Sequence, residues 1–202
     1  MDSSVGGKTA VDLTAGKNLA GAFFQPAAVL CDTDCLSTLP PEILADGAAE
    51  AIKTGVLCDE HLFSLFESGS LDLPEIITRC VSYKAGVVER DPTEQGERKL
   101  LNLGHTVGHA MAAGLAVMAR AAQTLSWTSG PLAERITACL AKNGLPTSTD
   151  YSAEALAQAA LSDKKRTGDS ITVVIPRQIG VCELRKLPVS QLQSLIAAGL
   201  EV

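Results

Sequence analysis

Aromatic residues make up only 3% of this chain, with four Phe, two Tyr and one Trp. A core with so few rings has to be built from Ala, Leu, Val and Ile, which favours closely packed helices. Basic runs are missing as well: the longest is Lys164-Lys165-Arg166, and the net charge is −6. A protein that grips nucleic acid through its phosphates carries a basic face, so nucleic acid is not an expected partner. No apolar run is long enough to span a bilayer and no signal segment is visible, so no membrane partner is expected and the expected compartment is the cytoplasm. The six cysteines, Cys31, Cys35, Cys58, Cys80, Cys139 and Cys182, contain no C-x-x-C pair. They read as small buried hydrophobes in a reducing compartment, not as a zinc knuckle or a disulfide framework.

What is present is a packed-core composition, 46% hydrophobic and 20% charged over 202 residues, which suits one domain, or one domain plus a fragment of another. Residues 2–26 read as a loop rich in Gly, Lys and Asn, followed by a short buried strand over Ala27–Cys31. Pro40-Pro41 opens a helix to about Leu57. Further helices are expected near Glu60–Glu67, over Leu73–Arg90 with a stop at Asp91-Pro92, and as one or two helices over Glu94–Ala122. Pro131–Lys142 is another, closed by Asn143-Gly144-Leu145-Pro146. Ser152–Ser162 follows with Ser152 as N-cap, and Val189–Ala198 comes last. Ile171–Pro176 and Val181–Leu184 read as strands joined across Gly180. The fold class is mostly α with a small β hairpin.

One row of polar residues stands out. Glu94, Arg98, Asn102, His105 and His109 are spaced 4, 4, 3 and 4 apart, which on a helix places all five on one face. Leu100, Leu101, Leu103, Val107, Ala110 and Met111 make the rest of that segment apolar. A solvated helix face accounts for such a row. So does a site, because the row holds two of the three histidines in the chain, and imidazoles one turn apart can ligate a divalent metal or pass protons. Glu50 lies among small apolar neighbours, and a buried carboxylate needs a cation. Lys53, one turn on, meets that need, and so does a metal. Lys84 shares an apolar stripe with Ile77, Val81 and Val88, which fits either a snorkelling lysine or one aimed at an anion. Gly6-Gly7-Lys8-Thr9 and Gly16-Lys17-Asn18 set cations beside glycines without forming a Walker A loop. With Lys53, Lys84, Arg98 and Lys164 they point to an anion pocket in an acidic protein.

Asp2-Ser-Ser-Val-Gly-Gly-Lys-Thr9, Gly16-Lys-Asn-Leu-Ala-Gly21, Ala49-Glu-Ala-Ile-Lys-Thr-Gly55, Asn102-Leu-Gly-His-Thr-Val-Gly-His-Ala110 and Asp163-Lys-Lys165 occur in this order. The succession closely resembles the 3-dehydroquinate synthase family, sugar-phosphate cyclases of the shikimate pathway. The resemblance implies the multi-helix C-terminal domain of that fold. It also implies conversion of 3-deoxy-D-arabino-heptulosonate 7-phosphate to 3-dehydroquinate and phosphate, with NAD and a divalent metal (zinc or cobalt) as cofactors, in a homodimer. By the same resemblance Glu50 and His105 are metal ligands, and His109 acts in a proton relay or positions substrate. Lys53, Lys84, Arg98 and Asn102 then hold the substrate's carboxylate and hydroxyls, with Asp2, Lys8, Asn18 and Lys164 nearby and Glu94 orienting its neighbours. Lys8, Lys17 and Cys35, Leu36, Ser37 and Thr38 touch NAD.

Two departures from the family pattern set further expectations. The Rossmann-like half with most of the NAD contacts is not in the sequence. Residues 1–39 therefore read as its remnant and linker, residues 40–202 as the helical metal- and substrate-binding domain, and the chain alone is not expected to turn over. The family's third metal ligand sits in a His-Gly-Glu-type segment, whereas here Ala112-Ala113 runs directly into Gly114-Leu-Ala-Val-Met-Ala-Arg120; His61, the remaining histidine, lies in another helix. Three rivals stay open: a valiolone-type or deoxyinosose-type cyclase, a metal-dependent alcohol or glycerol-1-phosphate dehydrogenase, and a non-catalytic remnant that only associates with partners.

Overall fold

The computed structural model describes residues 2–14, 16–105, 111–162 and 166–200. Its elements in chain order are β1 (Val11–Leu13), β2 (Gly16–Ala20), α1 (Pro41–Cys58), α2 (Glu60–Ser68), α3 (Leu73–Arg90), α4 (Met111–Thr124), α5 (Leu132–Lys142), α6 (Ala153–Ser162), β3 (Arg166–Thr167), β4 (Ser170–Gln178), β5 (Val181–Pro188) and α7 (Leu192–Leu200). Short 3-10 turns cover Thr33–Thr38, Glu97–Asn102 and Val189–Gln191. The chain divides into two compact units. One comprises the described residues of Met1–Leu39 with Asp72–Arg98, the other those of Pro40–Leu71 with Lys99–Val202.

In the larger unit, local chemistry sets the helix ends. Pro41 opens α1. Asp59 closes it through a backbone N–H to Gly55, and its carboxylate accepts from the Leu62 N–H to open α2. Gly69, at φ 85°, ends α2 in the left-handed region that favours glycine. Ser152 caps α6 by accepting from the Ala155 N–H. With so few aromatics, packing runs through alanine. From Ala112 to Ala122 every residue of α4 except Arg120 is buried, and α7 lies so close that a Cβ added at Gly199 would stand 2.1 Å from the Val117 carbonyl oxygen. Arg120 ties that crossing, donating to the carbonyls of Gly199 (2.7 Å) and Thr147 (3.0 Å). The hairpin expected across Gly180 is present as β4 and β5, extended by β3 into an antiparallel sheet of order β3-β4-β5. Its Ile171, Val173, Val174 and Ile175 are buried.

In the smaller unit, α3 has the expected bounds and stops before Asp91-Pro92. Residues 2–26, read as a loop, instead contain the β1–β2 ribbon, prolonged by a bridge between Lys8 and Phe23. Gly21 faces Ala10 across it, with no room for a Cβ. The expected strand over Ala27–Cys31 is absent: these residues are exposed, and none of the described residues pairs with them as a strand, so their backbone has no ladder to join. Two of the cysteines expected to be buried, Cys31 and Cys35, are exposed.

The expected helix over Glu94–Ala122 is also corrected. The Asp91 carboxylate accepts from the N–H groups of Gln95, Gly96 and Arg98, which pulls the chain into a turn in place of a helix ladder. Glu94 (φ 60°) and Gly104 (φ 78°) lie in the left-handed region, incompatible with a right-handed helix. Only the 3-10 turn Glu97–Asn102 lies between them, so Glu94, Arg98, Asn102 and His105 do not share one helical face.

Candidate functional site

Among the described residues, two charged side chains are buried, Lys53 (4% exposed) and Arg98 (3%). Both belong to the set picked out by sequence. Burying a charge is costly without compensation, and each unit solves the problem differently.

In the larger unit, Glu50 and Lys53 stand one turn apart on α1, and the Lys53 ammonium pairs with Glu50 Oε2 and donates to the Leu101 carbonyl at 3.1 Å. His105 arrives from the turn that follows Asn102. Leu103 anchors that turn with no exposed surface. Gly104 lets it approach α4, since a Cβ there would stand 2.8 Å from the Met111 carbonyl oxygen. His105 Nε2 then lies 3.3 Å from Glu50 Oε1. Burial would raise the Glu50 carboxyl, but the hydrogen bond from His105 and the charge and hydrogen bond of Lys53 outweigh it and hold it down at about 2. Glu50 is thus an anion at neutral pH, about a third exposed beside a partly exposed imidazole.

These residues fit a divalent cation in part. A nitrogen and an oxygen 3.3 Å apart match roughly the edge of a tetrahedron of donors ~2.0–2.2 Å from zinc. The two donors are of the types zinc and cobalt accept. No third His, Cys, Asp or Glu joins them among the described residues.

The smaller unit holds a network of cations and carbonyls. Lys84 donates to the Asp2 carbonyl (2.8 Å) and stands 3.3 Å from the Asp2 carboxylate. Arg98 donates to the carbonyls of Gly6 and Pro92, both at 2.9 Å. Gly6 has to be glycine: its φ is 109° and a Cβ would stand 2.5 Å from the guanidinium. Lys8 pairs with Glu94 at 2.5 Å. Asp2, Lys8, Lys84, Glu94 and Arg98 are therefore brought together within one unit, by turns and loops and not by a helix stripe.

The remaining sequence-predicted residues fall elsewhere. Asn102 ends its 3-10 turn, and its carbonyl accepts from the His105 N–H. Cys35, Leu36, Ser37 and Thr38 lie in the exposed 3-10 turn; Ser37 and Thr38 hydrogen-bond within it, to the carbonyls of Asp34 and Cys35. Lys17 and Asn18 lie on β2. His109 and Lys164 lie outside the described residues. Sequence reasoning missed Asp91, whose carboxylate organises the loop that delivers Arg98. Burial would raise its carboxyl, but three backbone N–H bonds and the charge of Arg98 hold it below the usual range. An Asp at a helix end followed by Pro and a nearby Gly was the available signal.

Residues 47–166 match the family model described as 3-dehydroquinate synthase C-terminal, and residues 1–46 the one described as 3-dehydroquinate synthase N-terminal. Among solved structures, 2-epi-5-epi-valiolone synthase from Streptomyces hygroscopicus subsp. jinggangensis 5008, with NAD+ and Zn2+ bound, superposes with a TM-score of 0.83 at 22% identity, over 99% of this chain and 63% of that protein. A 2-deoxy-scyllo-inosose synthase complexed with carbaglucose-6-phosphate, NAD+ and Co2+ gives 0.79 at 23% identity, over 98% of this chain and 63% of that one. The chain therefore spans less than two thirds of the length of these structural neighbours, and the likeness to them is one of fold. No described helix is long and apolar enough to cross a membrane. With the C-terminal model alone matching more than half of its length, the chain belongs to the 3-dehydroquinate synthase family.

Proposed function

We propose that this chain supplies the metal- and substrate-binding part of a 3-dehydroquinate synthase, which converts 3-deoxy-D-arabino-heptulosonate 7-phosphate to 3-dehydroquinate and phosphate with NAD as hydride carrier. The observation that carries the reading is the meeting of Glu50, Lys53 and His105 in the part of the chain that matches the family's C-terminal model. Glu50 and His105 would hold a divalent cation. When bound, such a cation acidifies a hydroxyl it touches and steadies negative charge on oxygen. Lys53, buried and tethered to the Leu101 carbonyl, helps hold the Glu50 carboxyl low and has one N–H donor left for a substrate oxygen. Asn102 is proposed to bind a hydroxyl and His109 to relay a proton. On the strength of the family motifs, Asp2, Lys8, Asn18, Lys84, Glu94, Arg98 and Lys164 are proposed substrate contacts or their orienters. Lys8, Lys17 and Cys35 to Thr38 are proposed for NAD.

A second reading, a different sugar-phosphate cyclase, is favoured by the two neighbours that act in that wider class. Calorimetric titration of the zinc-loaded chain in the presence of NAD separates the readings. Tighter binding of 3-deoxy-D-arabino-heptulosonate 7-phosphate than of glucose 6-phosphate, at least tenfold, supports the synthase. The reverse order supports the second reading, and binding of neither overturns the synthase reading.

A further inference from the structure

One carboxylate at the end of α3 holds a whole loop. The Asp91 N–H closes α3 on the Val87 carbonyl (2.9 Å), and Pro92 behind it cannot donate to continue the helix. The Asp91 carboxylate then accepts from three N–H groups further along, Gln95 on Oδ1 at 3.0 Å and Gly96 and Arg98 on Oδ2 at 2.8 and 2.9 Å. Both oxygens are used, so residues 91–98 fold back onto a single side chain. Glu94, inside that loop, has φ 60°, a conformation that costs a residue with a Cβ and persists only where its surroundings hold it. Its N–H reaches the Asp91 carbonyl at 3.5 Å, and the Gln95 bond to the carboxylate fixes the next residue.

The loop delivers two side chains to one turn of the same unit. Arg98 places its buried guanidinium on the Gly6 carbonyl, and Glu94 sends its carboxylate to Lys8. Hydrogen bonds weaken steeply with distance and angle, so the reach of Arg98 depends on where its own backbone N–H is pinned, and Asp91 pins it. The loop has a second tie, in which Arg90 donates to both oxygens of Glu97 at 2.8 Å. Those side chains are 59% and 38% exposed, and an ion pair that open contributes little. The chemistry at position 91 is also narrow. Asparagine has the same size but only one acceptor oxygen, and its NH2 would meet an N–H donor.

We propose that Asp91 is a positioning residue: its carboxylate fixes the reach of Glu94 and Arg98 to the Gly6–Lys8 turn and, acting through Arg98, sets the affinity of the chain for an anionic sugar phosphate. Asp91 itself touches no ligand, because both of its oxygens are taken by backbone N–H groups. The inference rests on the proposed function, which sets Arg98 and Lys8 against the substrate.

The test compares the wild-type chain with Asp91→Asn, Arg98→Gln, the double variant and Arg90→Gln. Affinity for 3-deoxy-D-arabino-heptulosonate 7-phosphate is read by calorimetry with zinc and NAD present. The guanidinium signals of Arg98 are followed by NMR without ligand, metal or NAD. Asp91→Asn is expected to weaken binding about tenfold and to speed exchange of the Arg98 guanidinium protons about tenfold, with the circular dichroism unchanged. Because the effect passes through Arg98, the double variant should bind no more weakly than Arg98→Gln alone, and Arg90→Gln should match wild type in both readings. Wild-type affinity or unmoved Arg98 signals in Asp91→Asn overturn the inference. So does a loss that adds in full to that of Arg98→Gln, or one that Arg90→Gln reproduces. An Asp91→Asn chain that loses its circular dichroism overturns it too, since Asp91 then serves the fold and not the site. A wild-type chain that binds no sugar phosphate strikes the proposed function and this inference with it, whereas equal binding by wild type and Asp91→Asn strikes the inference alone.

Discussion

The larger unit and the ribbon of the smaller one treat apolar side chains in opposite ways. In the larger unit Ile52, Phe63, Leu115, Ile136 and Ile175 are completely buried, and helices approach to glycine–carbonyl distance. In the smaller unit α3 buries Ile76, Cys80, Val87 and Val88, but both phenylalanines of the ribbon and Leu30 stand in water, and the turns are ordered by hydrogen bonds from Asp91 and Arg98. The larger unit has a hydrophobic core of its own, while the ribbon carries apolar surface with nothing described to cover it. The candidate chemistry is divided along the same line: carboxylate and imidazole sit on the packed core, and the network of Lys8, Lys84 and Arg98 sits on the polar scaffold.

The largest break of that contrast is a hole in the packed unit. Leu115→Ala should cost ~3–5 kcal/mol, read by urea denaturation. Lys53→Met, which leaves Glu50 half-buried without its ammonium, should cost ~2–4 kcal/mol and move the Glu50 carboxyl up toward its ordinary range. Proton titration probes the same pair reversibly. The Glu50 carboxyl is lowered from 4.5 to about 2, so its contribution is fully present above pH ~4.5 and is lost as pH falls through that window toward pH ~2. In metal-free buffer with chelator, denaturation midpoints should drop over that interval by the equivalent of no more than ~3 kcal/mol, and the drop should shrink in Lys53→Met. A smaller effect is expected at Gly55, where a Cβ would stand 2.8 Å from the Phe63 nitrogen; Gly55→Ala should destabilise by ~1–3 kcal/mol. Smallest of all, Phe24→Ser in the chain alone should change stability by less than ~0.5 kcal/mol. A cost above ~2 kcal/mol there would mean that the ring is covered and that the contrast between the units is wrong.

The contrast also marks what could be read from the chain. Helix bounds were readable where punctuation is local: α3 ends at Asp91-Pro92, α5 is followed by Asn143-Gly144, and Ser152 caps α6. The ribbon was not readable, because its strands are short and its two apolar faces blur the alternation that marks a strand. The polar row reads as a helix because spacing carries no record of φ. A positive φ at Glu94 is invisible in composition, and a single Asp91 carboxylate competing for three backbone N–H groups overrides a helical pattern. Glu50 and Lys53 could be seen as a pair from their spacing. That His105 joins them is a long-range fact, carried by the family motif and, in the structure, by a 3.3 Å separation.

The most direct test is calorimetric titration of zinc and of cobalt into this chain and into its His105→Ala variant, at a pH where imidazole is neutral. The account predicts stoichiometric binding to the chain, weakened at least a hundredfold in the variant. Absence of binding, or equal binding to both proteins, would contradict the assignment of Glu50 and His105 as a metal site.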